Sequence, residues 1–139
     1  METLFDPIRK KEVKRTPEEV VRQDTLNWLL NELLVPVHAI DIEVSLSRFK
    51  PGSSDRLDIL VTRFNTQSAQ PQYQLLVECK RPEVALDQDA ILQVQKYLAV
   101  VPAEYVMITN GVSVVYLKRS ENRYVQVKAL PQSLNSEDS

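Results

Sequence analysis

Two apolar segments, each interrupted by charged residues, constrain this chain more than any other feature. Residues 56–64 carry Asp58 inside an apolar run, and residues 73–80 end on Glu78 and Lys80. Both runs are apolar on both faces, which is typical of central strands in a sheet. Side chains alternate across a strand, so Glu78 and Lys80 share one face, and a hairpin would bring Asp58 beside Glu78. Burying carboxylates costs several kcal/mol unless they are paired or bind a metal, so this grouping needs an explanation.

The segment before these strands predicts a helix from Thr16 to about Leu34. Thr16 can cap the first turn, Pro17 suits the first helical position, and Glu18 and Glu19 complement the helix dipole. Glu19 also completes a capping box with Thr16. The apolar stripe of this helix comprises Leu26, Leu29, Leu30, Leu33 and Leu34.

The remaining periodicity predicts one more helix and several strands. Further strands are expected at residues 37–46, 105–109, 112–118 and 123–128. Asn110-Gly111 suits a type I′ hairpin turn between two of them. A second helix is expected over residues 87–100, with Ile91, Leu92, Val94, Tyr97 and Leu98 as its candidates for burial. The fold class is therefore α/β (α+β): a mixed central β-sheet flanked by helices, in the order α-β-β-β-α-β with extra C-terminal strands.

Length and composition indicate one compact domain. The chain has 139 residues, 43% of them hydrophobic, and a net charge of −2. We expect a flexible basic arm at residues 1–15, the domain at 16–130 and a disordered acidic tail at 131–139. The single cysteine, Cys79, excludes an internal disulfide framework and a cysteine-rich zinc site. No apolar stretch has membrane-spanning length and no signal peptide is evident, so a cytoplasmic location is expected.

The charged residues of the two central strands suit metal-assisted phosphodiester hydrolysis. Asp58, Glu78 and the backbone carbonyl of Cys79 are hard oxygen ligands that suit Mg²⁺, or Mn²⁺ in its place. Lys80 could orient the attacking water or neutralise the scissile phosphate, and its use as a general base stays open. Taken singly, each residue is equally well explained by an ordinary ion pair, for example between Asp58 and Arg56 or Arg81.

At this point the residues resemble a known family of nucleases. Asp58 followed by Glu78-Cys79-Lys80 resembles the D…(D/E)xK signature of the restriction-endonuclease-like (PD-(D/E)xK) superfamily. The chain is most similar to the N-terminal nuclease domain of type I restriction enzyme R subunits. The segments that carry this resemblance are TPEEVVRQ at 16–23, RLDILV at 56–61, VECKRP at 77–82, Gln93 with Tyr97, and ITNG at 108–111.

The resemblance implies a role for each matching residue. Asp58 and Glu78 would bind the metal, and Lys80 would be the catalytic lysine. Glu19, with Glu18 as runner-up, would be the first-helix carboxylate directed at the metal, and Gln93 would face the site from the second helix. Helix-dipole complementation alone would equally explain the two glutamates, and a solvated position would explain Gln93. Arg22 could contact phosphate or pair with a site carboxylate, and Tyr97 is expected in the core.

Two functions follow from these observations. The first is a Mg²⁺-dependent endodeoxyribonuclease that acts on DNA, as the resemblance implies. R subunits also carry a motor, but no G-x-x-x-x-G-K-[ST] loop occurs here, so separate motor or specificity subunits are expected partners, as is a homodimer. The second is a catalytically silent module that binds nucleic acid or protein on the same fold.

Overall fold

A computed structural model describes residues 2–65 and 70–135 of the chain. Two helices and a six-stranded sheet form its centre, and a two-stranded hairpin precedes them. The helices are α1 (Pro17–Asn31) and α2 (Gln88–Leu98). The strands are β1 (Thr3–Asp6), β2 (Lys11–Lys14), β3 (Ile40–Ser45), β4 (Arg56–Asn65), β5 (Gln70–Cys79), β6 (Tyr105–Thr109), β7 (Val114–Ser120) and β8 (Arg123–Val127).

The large sheet has its strands in the order β3-β4-β5-β6-β7-β8. Neighbours pair antiparallel along β3-β4-β5 and along β6-β7-β8, whereas β5 and β6 pair in parallel. The parallel pair requires a crossover, and α2 lies within it, because parallel strands cannot be joined by a tight turn. The predicted mixed sheet flanked by helices is thus confirmed.

The two helices cover different parts of the apolar surface of the sheet. Leu26 and Leu29 of α1 are fully buried in one cluster, which includes Val77 and Cys79 of β5. Val94 of α2 is fully buried in the second cluster. That cluster also includes Leu98, Leu57, Leu60, Leu76, Val106, Ile108 and Leu117. Strands β4 and β5 contribute side chains to both clusters, which explains why their sequences are apolar on both faces.

Both helices are shorter than predicted, and each leaves one expected core leucine in solvent. Helix α1 ends at Asn31, and Leu34 follows with a left-handed φ of 57° and an exposed fraction of 59%. Leu92 of α2 is 56% exposed, so its predicted burial is wrong. The 3.6-residue period could tell neither where α1 ends nor which edge of the apolar stripe of α2 faces water.

The ends of the chain differ from the expected flexible arm and disordered tail. Strands β1 and β2 form an antiparallel hairpin whose last paired residues are Asp6 and Lys11. Asp6 is completely buried, and polar contacts tie the hairpin to α1. Residues 132–135 form a short 3₁₀ helix with Leu134 buried, and residues 136–139 of the expected tail lie outside the described residues.

The turn between β6 and β7 is also different from the predicted type I′ turn. Thr109 pairs with Val114, which leaves a four-residue loop rather than a two-residue one. Gly111 has a positive φ of 87°, but Asn110 is not left-handed, as a type I′ turn would require. Instead the Asn110 Oδ1 atom accepts hydrogen bonds from the backbone N–H groups of Val112 and Ser113, at 2.9 and 2.7 Å. The asparagine side chain therefore shapes the turn.

Neither described helix combines the length and the apolar character needed to cross a lipid bilayer.

Candidate active site

Asp58 and Glu78 lie side by side at the centre of the sheet. Ile59 of β4 pairs with Val77 of β5, and one further step in that register sets Asp58 against Glu78. Both side chains are nearly buried, since Asp58 is 8% and Glu78 is 7% exposed. The Asp58 Oδ2 atom accepts a hydrogen bond of 2.8 Å from the backbone N–H of Cys79, which fixes the carboxylate across the two strands.

The closeness of the two carboxyl groups changes the protonation of Glu78. Burial, followed by the hydrogen bond and the negative charge of Asp58, raises the pKa of Glu78 from 4.5 to about 9, although Lys80 opposes the shift. A buried acid next to a like charge holds its proton because ionisation would place two negative charges in a poorly solvated site. Glu78 therefore favours its neutral form at neutral pH.

Arg22 is the cation closest to this pair, and it projects from α1. Its Nη2 atom lies 3.1 Å from Asp58 Oδ1, and its Nη1 atom lies 3.1 Å from both Glu19 Oε1 and Glu43 Oε1. Desolvation lowers the pKa of Arg22, but the charges of Asp58, Glu19 and Glu43 outweigh it and raise that pKa above its ordinary value. Of the two expectations for Arg22, pairing with a site carboxylate is observed.

Glu43 is a member of the site that sequence reasoning missed. It lies on β3 with a left-handed φ of 49°, and the register between β3 and β4 sets it against Asp58. A bulky residue in this backbone conformation is strained, and such strain is often found at functional sites. The alternation of Ile42, Glu43 and Val44 gave one signal, but it is also the ordinary pattern of a strand with one solvated face.

A second arginine, Arg9 in the β1–β2 turn, extends the cluster. It contacts Glu19 at 3.3 Å and Glu43 at 3.1 Å, and its Nε atom donates to Asp6 Oδ2 at 2.8 Å. Gln23 of α1 donates to both Asp6 and Glu19, at 2.9 and 3.1 Å. Asp6 and Glu19 thus attach the hairpin to α1, and Glu19 also contacts Arg22.

Glu19 lies near the predicted site but reaches it only through Arg22. Its backbone N–H donates to the Thr16 Oγ1 atom at 3.0 Å, as expected for a helix cap. Its carboxylate accepts hydrogen bonds from Arg9, Arg22 and Gln23, and these donors hold it away from Asp58. The approach of Glu19 to a metal therefore stays a prediction.

Lys80 and Gln93 meet at the opposite side of the pair. The Lys80 Nζ atom donates a hydrogen bond of 2.9 Å to Gln93 Oε1, which joins the end of β5 to α2. A surface groove of about 520 Å³ begins at these two residues and includes Lys96 of α2. The other residues that line it are Val84, Ala85, Asp87, Asp89, Ala90 and Leu92.

Two neighbours of Asp58 and Glu78 are buried, Tyr97 partly and Cys79 fully. Burial, and then the proximity of Glu78, raises the pKa of the Tyr97 hydroxyl to about 12, so that hydroxyl stays protonated. Tyr97 is half-buried against the site rather than a pure core residue. Burial raises the pKa of the Cys79 thiol as well, which leaves a packed and unreactive sulfur.

The chain is similar to known proteins in two comparisons. A family profile described as "Type I restriction enzyme R protein N terminus (HSDR_N)" matches residues 17–131. A search of the curated proteins gives no match. One solved structure, described as the type IIG restriction endonuclease BpuSI, shares 21% sequence identity, with a TM-score of 0.49. That alignment covers 76% of this chain, which spans 12% of the length of the other. The chain belongs to the family of type I restriction enzyme R protein N-terminal domains.

Proposed function

We propose that the protein is a metal-dependent endonuclease that hydrolyses phosphodiester bonds of DNA. The observation that carries this proposal is the juxtaposition of the buried Asp58 and Glu78 carboxyl groups with Lys80 at the start of a groove. A structural ion pair would not explain why Glu78 is buried against another acid. The family name, which refers to a restriction enzyme, supports DNA as the substrate.

The donor set fits Mg²⁺ or Mn²⁺. Among residues 2–65 and 70–135, no three His, Cys, Asp or Glu side chains are grouped so as to hold a metal. Mg²⁺ does not require such a group, because it is commonly held by one or two carboxylates together with water and substrate phosphate oxygens. Asp58 and Glu78 would supply the carboxylates, the Cys79 carbonyl would be a further ligand, and Glu19 would join only after leaving its arginine partners. A cation would also replace the proton that the two carboxyl groups now require.

The chain's own residues would divide the remaining work. A bound metal would supply an activated water and stabilise negative charge on the phosphate. Lys80, held by Gln93, would place its ammonium group against the scissile phosphate or the attacking water. In either position the positive charge of the lysine would act on the reacting groups. Gln93 would fix the direction of the lysine without itself changing protonation.

A nicking assay on supercoiled plasmid DNA tests the proposal. We expect the protein to nick or cut DNA with Mg²⁺ or Mn²⁺ and to stop when EDTA is added. Glu78→Gln and Lys80→Ala should each lower the rate at least about 100-fold, because losing electrostatic stabilisation of a transition state commonly has that cost. Circular dichroism would establish that both variants remain folded.

Matched controls come from exposed residues at a distance from the site. Glu104 is an exposed carboxylate paired with Arg119, and Lys128 is an exposed lysine. Glu104→Gln and Lys128→Ala should cut DNA like the unmodified protein. Cleavage that survives both Glu78→Gln and Lys80→Ala would refute the assignment of this site.

A second candidate function is a catalytically silent module that binds DNA. It is favoured by the saturation of Asp58, which is already bonded to Arg22 and to the Cys79 N–H. Binding of duplex DNA without cleavage in Mg²⁺, Mn²⁺ or Co²⁺ would support it. If DNA follows the groove, Lys96→Ala should weaken binding and reduce the salt dependence by about one phosphate contact.

A further inference from the structure

We propose that Arg22 acts as a counter-ion of the Asp58 and Glu78 carboxylates and thereby lowers the affinity of the site for a divalent cation. Arg9 of the hairpin strengthens this effect through Glu19 and Glu43, which both arginines contact. The inference rests on the proposed metal site at Asp58 and Glu78. It concerns a different property, namely which charge of the protein opposes metal binding.

Arg22 is buried against Asp58, a candidate metal ligand. The residue is only 7% exposed and contacts three carboxylates, one of which is Asp58. A guanidinium is tolerated at such a depth only when paired, because removing an ion from water costs several kcal/mol. Its Nη2 atom already uses the Asp58 Oδ1 atom, which is also a candidate metal ligand. A cation at Asp58 would therefore either share that carboxylate with Arg22 or displace it.

The β1–β2 hairpin is coupled to Arg22 through Arg9. Arg9 and Arg22 contact the same two carboxylates, since each of them reaches both Glu19 and Glu43. Loss of Arg9 would remove one of the two arginines that Glu19 and Glu43 share, and would draw the Arg22 guanidinium toward these two carboxylates and away from Asp58. Arg9 lies before residue 17, where the family match begins, so this adjustment belongs to a segment outside the shared domain.

Coulomb repulsion sets the direction and the size of the change in metal affinity. A positive charge within about 5 Å of a divalent cation opposes binding by several-fold to many-fold, even with strong dielectric screening. Removing the charge of Arg22 should therefore raise metal affinity by at least about tenfold. Glu19 and Glu43 would keep their contacts with Arg9. Removing Arg9, which has no contact with Asp58, should raise the affinity only two- to fivefold.

Titration of the full chain with Mn²⁺, followed by calorimetry and by the paramagnetic resonance of free Mn²⁺, tests the inference without any substrate. Arg22→Gln should bind Mn²⁺ at least about tenfold more tightly than the unmodified protein. Arg22→Lys keeps the positive charge and should stay within about threefold of it. A purely structural role would not separate these two variants in this way.

Arg15→Gln is the control for Arg9→Gln, because Arg15 follows β2 and forms an ion pair with the exposed Glu2. Arg15→Gln should leave the Mn²⁺ affinity unchanged. If Arg22→Gln does not fold, Arg9→Gln decides the question, since Arg9 is 20% exposed in its side chain and lies in a surface turn.

The outcomes separate this inference from the proposed function. Affinity that is unchanged or lower in Arg22→Gln, or in Arg9→Gln when Arg22→Gln does not fold, overturns the counter-ion inference alone. Mn²⁺ binding that persists unchanged in Asp58→Asn overturns the metal site, and the inference with it. Binding that is measurable only in the arginine variants, and that is lost when Asp58→Asn is added, supports both.

Discussion

Asp6 and Glu78 are both buried acids, yet their pKa values are shifted in opposite directions. Asp6 lies in the hairpin turn and accepts hydrogen bonds from the backbone N–H groups of Ile8 and Arg9, from the Arg9 side chain and from Gln23. Burial raises the pKa of Asp6, but these donors outweigh it, and the pKa falls below 3.8. Glu78 instead has Asp58 as its neighbour, and its pKa rises to about 9.

Burial raises the pKa of both acids, and only Asp6 has enough hydrogen-bond donors to outweigh it. A carboxylate that receives several N–H groups is stabilised as an anion, whereas one placed against another acid is stabilised as the neutral form. The Asp6 carboxylate already has its hydrogen-bond donors and needs no ligand. Glu78 beside Asp58 retains the capacity to take up a cation, which is why a site with Glu78 is a better candidate for chemistry than one with Asp6.

The largest expected contrast is in stability at pH 7. Asp6→Asn removes the negative charge and replaces one acceptor oxygen by an amide N–H group that faces the donors of Arg9 and Gln23, so it should lower the free energy of unfolding by about 3 kcal/mol. Glu78→Gln replaces a neutral acid by a neutral amide and should leave stability unchanged or higher. Urea denaturation of both variants measures the difference. Equal losses would show that burial alone dominates.

The pH dependence of stability should have opposite signs for the two acids. The pKa of Asp6 is lowered on folding, so its contribution is present above its ordinary value of 3.8 and is lost as pH falls through the folded value. The pKa of Glu78 is raised from 4.5 to about 9, so its contribution is complete below 4.5 and is lost as pH rises toward 9.

Melting temperatures measured from pH 3 to pH 9 without divalent metal check these signs. Glu78→Gln should melt at least about 5 °C above the unmodified protein at pH 8 and gain little at pH 4. Asp6→Asn should lose its disadvantage at the acid end. A Glu78→Gln profile parallel to that of the unmodified protein would contradict the opposite-sign account.

A smaller effect is expected from divalent cation. Mg²⁺ at about ten times its dissociation constant should add about 1.4 kcal/mol to the stability of any variant that keeps the site. Asp6→Asn should keep this gain and Glu78→Gln should lose it. Thermal melts with Mg²⁺ and then with excess EDTA provide the measurement, and a gain that is retained in Glu78→Gln would place the cation elsewhere.

The smallest effect should come from the exposed pair in the same hairpin. Arg15 lies 3.4 Å from Glu2, whose side chain is 83% exposed. Arg15→Gln should change the free energy of unfolding by less than about 0.5 kcal/mol, because solvent screens exposed pairs. Urea denaturation of Arg15→Gln and Asp6→Asn would show how much more a buried ion pair of the hairpin contributes to the free energy of unfolding than an exposed one. Losses of similar size in the two variants would contradict this difference.

The features that the sequence predicted correctly are local ones. The start of α1 follows from the Thr16-Pro17 cap, and the juxtaposition of Asp58 with Glu78 follows from two apolar runs close enough in the chain to form a hairpin. The side chains of Lys80 and Gln93 also meet, although only the family resemblance had linked them.

What the sequence did not predict depends on contacts between distant segments. The hairpin at 3–14 contains two strands of only four residues each, and its order depends on Asp6 reaching Gln23 of α1. Glu43 joins the site because the β3–β4 register sets it against Asp58, and no local pattern specifies that register. The exposure of Leu34 depends on where α1 ends, which periodicity does not determine.

The parallel pairing of β5 with β6 has a consequence for how the protein assembles. Strands β3, β4 and β5 can pair by local hairpins, so Asp58 and Glu78 can meet early on the folding pathway. Lys80 and Gln93 are close in the chain, but Val94 beside Gln93 packs in one cluster with Val106 and Ile108 of β6, so α2 is fully docked only when β6 has joined β5. The acids of the site would thus form with the first half of the sheet, and the lysine would be fixed in place only when the two halves join.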